Sequence, residues 1–129
     1  MIDKELCMSF QYLKDFPYPK IRKQQEEAID FALDSFVNKG KKFIIIEAGT
    51  GVGKSAVGLT VARSLSKSPA VDHFEDGAYF LTTQKILQEQ YVNDFGGFGG
   101  PMKSIKSSSN YTCRFNKKTS CGESLRALR

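Results

Sequence analysis

The sequence predicts an α/β fold around a parallel sheet, and three observations predict it: helix-period and strand-like segments that alternate, an unalternating β-branched run at Phe43-Ile44-Ile45-Ile46, and a cluster of glycines directly after that run. Pro17 and Pro19 disfavour helix just before them, and Ala28, Ile29, Ala32, Leu33, Phe36 and Val37 then recur at helical spacing, so a helix is expected from about Arg22 to Asn38, ended by Gly40. Phe43 to Ile46 suits a strand buried on both faces. From Lys54, the apolar positions Val57, Val61, Ala62 and Leu65 mark a second helix that stops near Ser66 to Ser68, ahead of Pro69. Gly77-Ala78-Tyr79-Phe80-Leu81-Thr82 is the second strand candidate, and Thr82 or Thr83 is placed to cap a third helix running to about Phe95. Ile86, Leu87, Gln90, Tyr91 and Phe95 fall near one face of that helix. Beyond it come Gly96-Gly97-Phe98-Gly99-Gly100-Pro101 and a Ser/Lys-rich stretch, read as an irregular basic segment. Two parallel strands do not make a self-sufficient sheet, so the sheet is expected to be incomplete, with its remaining strands beyond Arg129.

Composition narrows the class. With 129 residues, 40% of them hydrophobic, the chain holds one modest domain or part of one. The N-terminus, Met1-Ile2-Asp3-Lys4-Glu5, is charged, and the longest strongly apolar run cannot span a bilayer, which points to a cytoplasmic protein without a membrane partner. Cys7, Cys113 and Cys121 are odd in number and lack a secretory context, so they are expected as thiols or metal ligands. The net charge of +5 is unevenly placed. Residues 1–100 hold 12 Lys and Arg against 13 Asp and Glu, whereas residues 101–129 hold seven against Glu123 alone. A basic segment of this kind attracts a polyanion such as nucleic acid, or is simply a solvated tail.

The glycines carry the most specific signal. Ala48-Gly49-Thr50-Gly51-Val52-Gly53-Lys54-Ser55 matches the P-loop pattern, with Ala in place of the first Gly. Glycines let the backbone turn tightly and aim its N–H groups inward, and the positive end of the following helix adds to the field. Lys54 is placed to reach the β- and γ-phosphates as a point charge, and the Ser55 hydroxyl to ligate a bridging Mg²⁺. Strand before and helix after are the context the motif requires. Hydrolysis also needs a second carboxylate at the end of another strand. Glu47 precedes the loop on its own strand, Asp72, Glu75 and Asp76 lie before theirs, and Asp94 falls near a helix end, so this chain is expected to bind nucleotide and to hydrolyse it weakly or not at all.

Phe16-Pro17-Tyr18-Pro19, Arg22 and Gln25, followed by residues 47–55, resemble the opening of superfamily 2 DNA helicases of the XPD/DinG group. Thr82-Thr83-Gln84-Lys85-Ile86-Leu87-Gln88-Glu89-Gln90 looks like that group's motif Ia, and Ser109-Asn110-Tyr111-Thr112-Cys113 like the segment bearing the first cysteine of its iron–sulfur domain. The resemblance implies a RecA-like P-loop NTPase fold, with residues 1–100 as the N-terminal part of the first motor domain and 101–129 as the start of an inserted iron–sulfur-type segment. It implies that Gln25 reads the adenine edge, where an amide offers both donor and acceptor, with Arg22 in support. It implies that Thr82, Thr83 and Gln84 touch single-stranded DNA, although either threonine also reads as a helix cap. It implies ATP and Mg²⁺ as cofactors, single-stranded or forked DNA as partner, and a four-iron, four-sulfur cluster in a longer form, to which Cys113 and Cys121 would contribute two ligands.

The expected function is therefore the ATP-binding N-terminal portion of a DNA helicase that couples ATP hydrolysis to movement along one strand and to unwinding. Two other readings compete with it. One is a stand-alone module that binds nucleotide or single-stranded DNA without catalysis, and the other is an unrelated P-loop ATPase.

Overall fold

The computed structural model describes residues 12–67, 77–98 and 102–128, and the chain divides between Phe80 and Leu81 into two compact units. Cys7 and the carboxylates Asp72, Glu75 and Asp76 lie outside the described residues.

The first unit is built on two helices, α1 (Lys23–Leu33) and α2 (Lys54–Ser66). Both were legible from apolar spacing, and that spacing is what packs them: Ile29 and Ala32 from α1 join Ala56, Val57, Val61 and Leu65 from α2 in one buried cluster. Ile29 and Ala32 are 0% exposed and Ala56 is 1% exposed, so small side chains sit in the cluster where the helices come together. Thr60 is also fully buried, and its hydroxyl is satisfied by the Ala56 carbonyl at 2.7 Å. A short 3-10 turn, Tyr12–Lys14, adds Tyr12 and Phe16 to the same cluster. Burial, with the Asp30 and Glu26 carboxylates, pushes the Tyr12 phenol well above its ordinary pKa. Asp15 is buried beside this turn, ion-paired to Lys67 and accepting from the Ser64 hydroxyl at 3.4 Å, which fastens the start of the unit to the end of α2.

The helix expected to run to Asn38 does so, but its last turn, Asp34–Asn38, is a π turn. Asp34 gathers that turn: its carboxylate accepts from Asn38 Nδ2 at 2.9 Å and pairs with Lys39 at 2.5 Å, and these bonds, Lys39 first, hold its pKa below the usual carboxylate value. Gly40, at φ 59°, then turns the chain out of the helix.

The two strand candidates form no regular strand, and no ladder hydrogen bond joins them among the described residues. Phe43 to Ile46 was expected to be buried on both faces. Only one face is covered: Ile44 packs on the helical core, while Phe43 and Ile45 are 89% and 92% exposed. The second segment repeats this pattern, with Tyr79 exposed and the Phe80 ring lying over Gly58, where a Cβ would come 3.4 Å from it. In each segment one residue reaches the helices and its neighbour does not, the alternation that a strand-like backbone produces by sending successive side chains to opposite faces.

In the second unit α3 spans Lys85–Phe95 and is anchored by Phe95, 2% exposed, whose ring meets Tyr91 edge-on at 5.8 Å. Neither threonine is the cap. Gln84 occupies that position without a side-chain bond, and Thr82 Oγ1 accepts only a long 3.4 Å bond from the Gln84 N–H. Residues 102–128 correct the expectation of an irregular segment. A 3-10 turn, Ser108–Asn110, leads into an antiparallel bridge between Thr112 and Ser120, followed by α4 (Cys121–Ala127). The Cys113 N–H to Thr119 and the Cys121 N–H to Tyr111 close the bridge at 3.0 and 2.7 Å. α4 begins with a capping box: the Ser120 hydroxyl accepts from Glu123 N at 3.2 Å, and Glu123 Oε2 accepts from Ser120 N at 2.8 Å. Lys106 ties this segment to α3 through Glu89 at 2.7 Å, with Ser104 donating to Gln88 nearby.

Two outcomes follow from this packing. Ile29→Ala empties the centre of the first unit and is expected to lower its stability by about 3 kcal/mol, read as a shift of the urea midpoint. Glu123 has a depressed pKa because it accepts from Ser120, so its contribution to α4 is present above its ordinary pKa and is lost as pH falls through the depressed one. Carbon chemical shifts of α4 followed by NMR during acidification are expected to lose helical character at that lower pH, and Glu123→Gln is expected to flatten the transition.

Candidate nucleotide-binding site

The P-loop runs from Ala48 to Gly53 and delivers directly into α2 at Lys54. Its curvature rests on two glycines in the left-handed region, Gly51 at φ 79° and Gly53 at φ 85°. Gly53 has a second constraint, because a Cβ there would lie 2.4 Å from Gln25 Nε2. Gly49 is open on that side, so its role is not steric.

Apart from the Val52 N–H, which closes the turn at Thr50–Gly51, the backbone N–H groups of residues 49–55 close onto no protein acceptor among the described residues, whereas the next N–H groups, those of Ala56 and Val57, close onto Gly53 O at 3.1 and 3.3 Å. A run of free donors bent around glycines, at the positive end of a helix of 13 residues, is an anion nest. Lys54 curls back over the loop, its ammonium donating to Ala48 O at 2.8 Å and Gly49 O at 2.9 Å. An ammonium has three donors, so one remains, and the charge is held at the mouth of the nest. Ser55 follows as the second residue of α2, with its hydroxyl in no recorded bond.

The residues expected to read a nucleobase are brought to the same place. Gln25 is 5% exposed and both ends of its amide are engaged: Nε2 donates to Val52 O in the loop at 2.9 Å, and Oε1 accepts from Arg22 N, at the head of its own helix, at 3.0 Å. Arg22 Nη1 donates to Gly51 O at 3.0 Å. The first turn of α1 is thus bonded to the crest of the P-loop across more than 25 positions of sequence. On helical periodicity alone both side chains would lie on an exposed face. The ties to Gly51 and Val52, and that of Lys54 to Ala48 and Gly49, carry no sequence signal of their own, because backbone carbonyls are present at every position.

Thr82, Thr83 and Gln84 lie in the second unit at the start of α3, Thr82 half-buried and the other two exposed. Cys113 and Cys121 are free thiols on either side of the Thr112–Ser120 bridge. Cys113 is buried, and bonds from the Ser124 hydroxyl and then the Asn116 and Phe115 backbone lower its pKa below the ordinary thiol value. Among the described residues no group of three or more His, Cys, Asp or Glu is placed to hold a metal ion, and no helix is long and apolar enough to cross a membrane.

The nest, the lysine at its mouth and the glutamine behind it define the chain as a P-loop nucleotide-binding module. The family model described as type III restriction enzyme, res subunit, matches residues 18–123, and the chain belongs to this family, a helicase-like ATP-binding module of superfamily 2. The match covers all the site residues from Arg22 to Cys121 and reaches superfamily 2, not the XPD/DinG group within it. No curated protein and no solved structure matches the chain.

Gly53→Ala tests the loop geometry. It places a Cβ against Gln25 Nε2 and in a left-handed backbone, and is expected to destabilise the first unit by about 1–3 kcal/mol and to weaken nucleotide binding, whereas Gly49→Ala, which meets nothing, is expected to leave stability within about 1 kcal/mol. Thermal melts with and without Mg-ATP separate the two effects.

Proposed function

We propose that this chain is the ATP-binding portion of a DNA-dependent helicase motor, and that it binds Mg-ATP with Lys54 and Ser55 at the phosphates and magnesium and with Gln25 and Arg22 toward the adenine. The observation that carries the reading is the set of N–H donors at 49–55 that, outside the turn at Thr50–Gly51, have no protein acceptor among the described residues, on a loop held in shape by Gln25 and Arg22. The residues fit the ligand. Phosphates bring acceptors to a site whose surplus is donors, the Lys54 ammonium is within reach of the loop, and the Ser55 hydroxyl has no protein partner among the described residues to give up. Magnesium, when bound, neutralises phosphate charge. Gln25 couples the base to the phosphates mechanically, because the amide facing an adenine would be the same one that anchors Val52.

We further propose that the sheet of a RecA-like domain forms on the outward faces of Phe43, Ile45 and Tyr79, since an apolar, extended, unpaired face is what a parallel sheet covers. Membership of the helicase-like family and the resemblance of residues 82–90 to motif Ia support DNA as the polymer. Cys113 and Cys121 sit where the XPD/DinG resemblance puts its first cysteines. Two thiolates leave a four-cysteine cluster incomplete, and the reading does not depend on one.

Calorimetric titration of the purified chain tests it. The wild type is expected to bind Mg-ATP, Lys54→Ala to lose detectable binding with an unchanged melting temperature, and Gln25→Ala to narrow the preference for ATP over GTP. Unchanged affinity in Lys54→Ala would defeat the assignment. Turnover is expected to be low with or without single-stranded DNA, because none of the carboxylates described stands at the end of a second strand.

A further inference from the structure

The second unit contains a cleft of about 650 Å³ between the 3-10 turn Ser108–Asn110 and α4. Gly122 makes the approach possible: a Cβ there would fall 3.1 Å from Ser108 Oγ and 3.2 Å from the Ser109 backbone nitrogen, so any larger residue pushes the serine turn away. Ser107, Ser108 and Ser109 form one wall, and Arg126 stands on the other.

Hydrogen-bond accounting shows what the cleft lacks. Ser120 is fully engaged by the capping box, its N–H and hydroxyl both donating to Glu123 Oε2 at 2.8 and 3.0 Å. The only carboxylate in the lining is thus already compensated by two donors. Ser107 and Ser109 hydroxyls lie 3.0 Å apart and share one hydrogen, and Asn110 Nδ2 donates to Ser107 Oγ at 2.8 Å, which leaves one hydroxyl hydrogen of the pair over. Ser108 Oγ and the Arg126 guanidinium have no hydrogen-bond partner among the described residues, and Arg126 meets Glu123 through charge alone, as the smallest of the influences that lower the Glu123 pKa. The cleft has donors to offer and needs acceptors.

Charge points the same way. Residues 102–128 carry Lys103, Lys106, Arg114, Lys117, Lys118 and Arg126 against Glu123 alone, and of these cations Lys106 is in a salt bridge, with Glu89. The volume lies within the range of small-molecule sites and far exceeds one phosphate, while Leu125, 56% exposed, gives the lining an apolar part for a sugar or base face.

We propose that this cleft binds a backbone phosphodiester of single-stranded nucleic acid, with Arg126 as the charged contact and the hydroxyls of Ser108 and of the Ser107–Ser109 pair as donors. It deepens the proposed function, on whose nucleic-acid partner it rests, by assigning a contact that motif Ia does not include. A phosphate of this kind satisfies donors on both walls at once, which no described residue of the unit does.

The test is fluorescence anisotropy of a labelled oligothymidylate with the full chain across a salt series, for wild type, Arg126→Gln, Arg126→Lys and Gly122→Ala, with inorganic phosphate and a mononucleotide as competitors. Arg126→Gln is expected to weaken binding roughly tenfold at low salt and to reduce the log–log salt slope by about 0.7, with Arg126→Lys recovering the slope. Gly122→Ala, which keeps every charge, is expected to weaken binding with the slope unchanged. Oligonucleotide binding that Arg126→Gln does not alter would overturn the cleft while leaving the nucleic-acid partner intact. No oligonucleotide binding by the wild type would overturn both, and displacement by millimolar phosphate with no preference for the polymer would make the cleft a free-anion site and overturn the proposal.

Discussion

The contact on which the first unit depends is the packing of α1 against α2, because it delivers Gln25 to Val52. Ile29 and Ala32 lie one and two turns beyond Gln25 on α1, and Ala56 and Val57 lie immediately beyond the P-loop on α2. Burying these residues in one cluster fixes the two helix beginnings side by side. The amide of Gln25 then meets the Val52 carbonyl at 2.9 Å, and Arg22 meets that of Gly51 at 3.0 Å. Hydrophobic burial supplies the free energy, and the polar ties supply the geometry. A glycine-rich loop left alone would sample many conformations at little cost. Held at Gly51 and Val52 from outside, it presents its N–H groups as a preformed set.

Preorganisation also explains the placing of the Lys54 ammonium. Bonded to Ala48 and Gly49 carbonyls, it stays at the loop mouth instead of extending into solvent, where a lysine side chain has much rotamer freedom to lose on binding. The exchange of carbonyl partners for phosphate oxygens replaces neutral acceptors with charged ones, which strengthens each bond.

The second unit follows a different logic. Phe95 and Cys113 are its buried apolar residues among those described, and much of its order comes from polar bonds: the Ser120–Glu123 box, the bridge between Thr112 and Ser120, and the Lys106–Glu89 pair. Such a unit presents more unfilled donors than a hydrophobic one of its size. A surface rich in donors and cations is suited to phosphates, and the serine-lined cleft is where those donors converge.

Much of this was written in the chain itself. Apolar residues every three or four positions identify α1, α2 and α3, because a helix repeats its faces locally, and the P-loop reads directly since each of its residue types answers a local backbone or phosphate requirement. The cap of α4 was equally local, in Ser120 and Glu123 at capping-box spacing, and was obscured by the polar composition around it. Arg22 and Gln25 were legible as site residues by resemblance only, because on one helix their sequence is that of an exposed face. The tertiary structure decided that Gln25 is buried and that both face the loop, that Tyr12, Asp15 and Phe16 close the unit, that Phe43 and Ile45 point outward, and that four serines and an arginine share a cleft. Each of those depends on partners distant in sequence, brought close by burial of the helix cores, and a carbonyl or a hydroxyl gives no sign in the sequence of which distant donor it will meet.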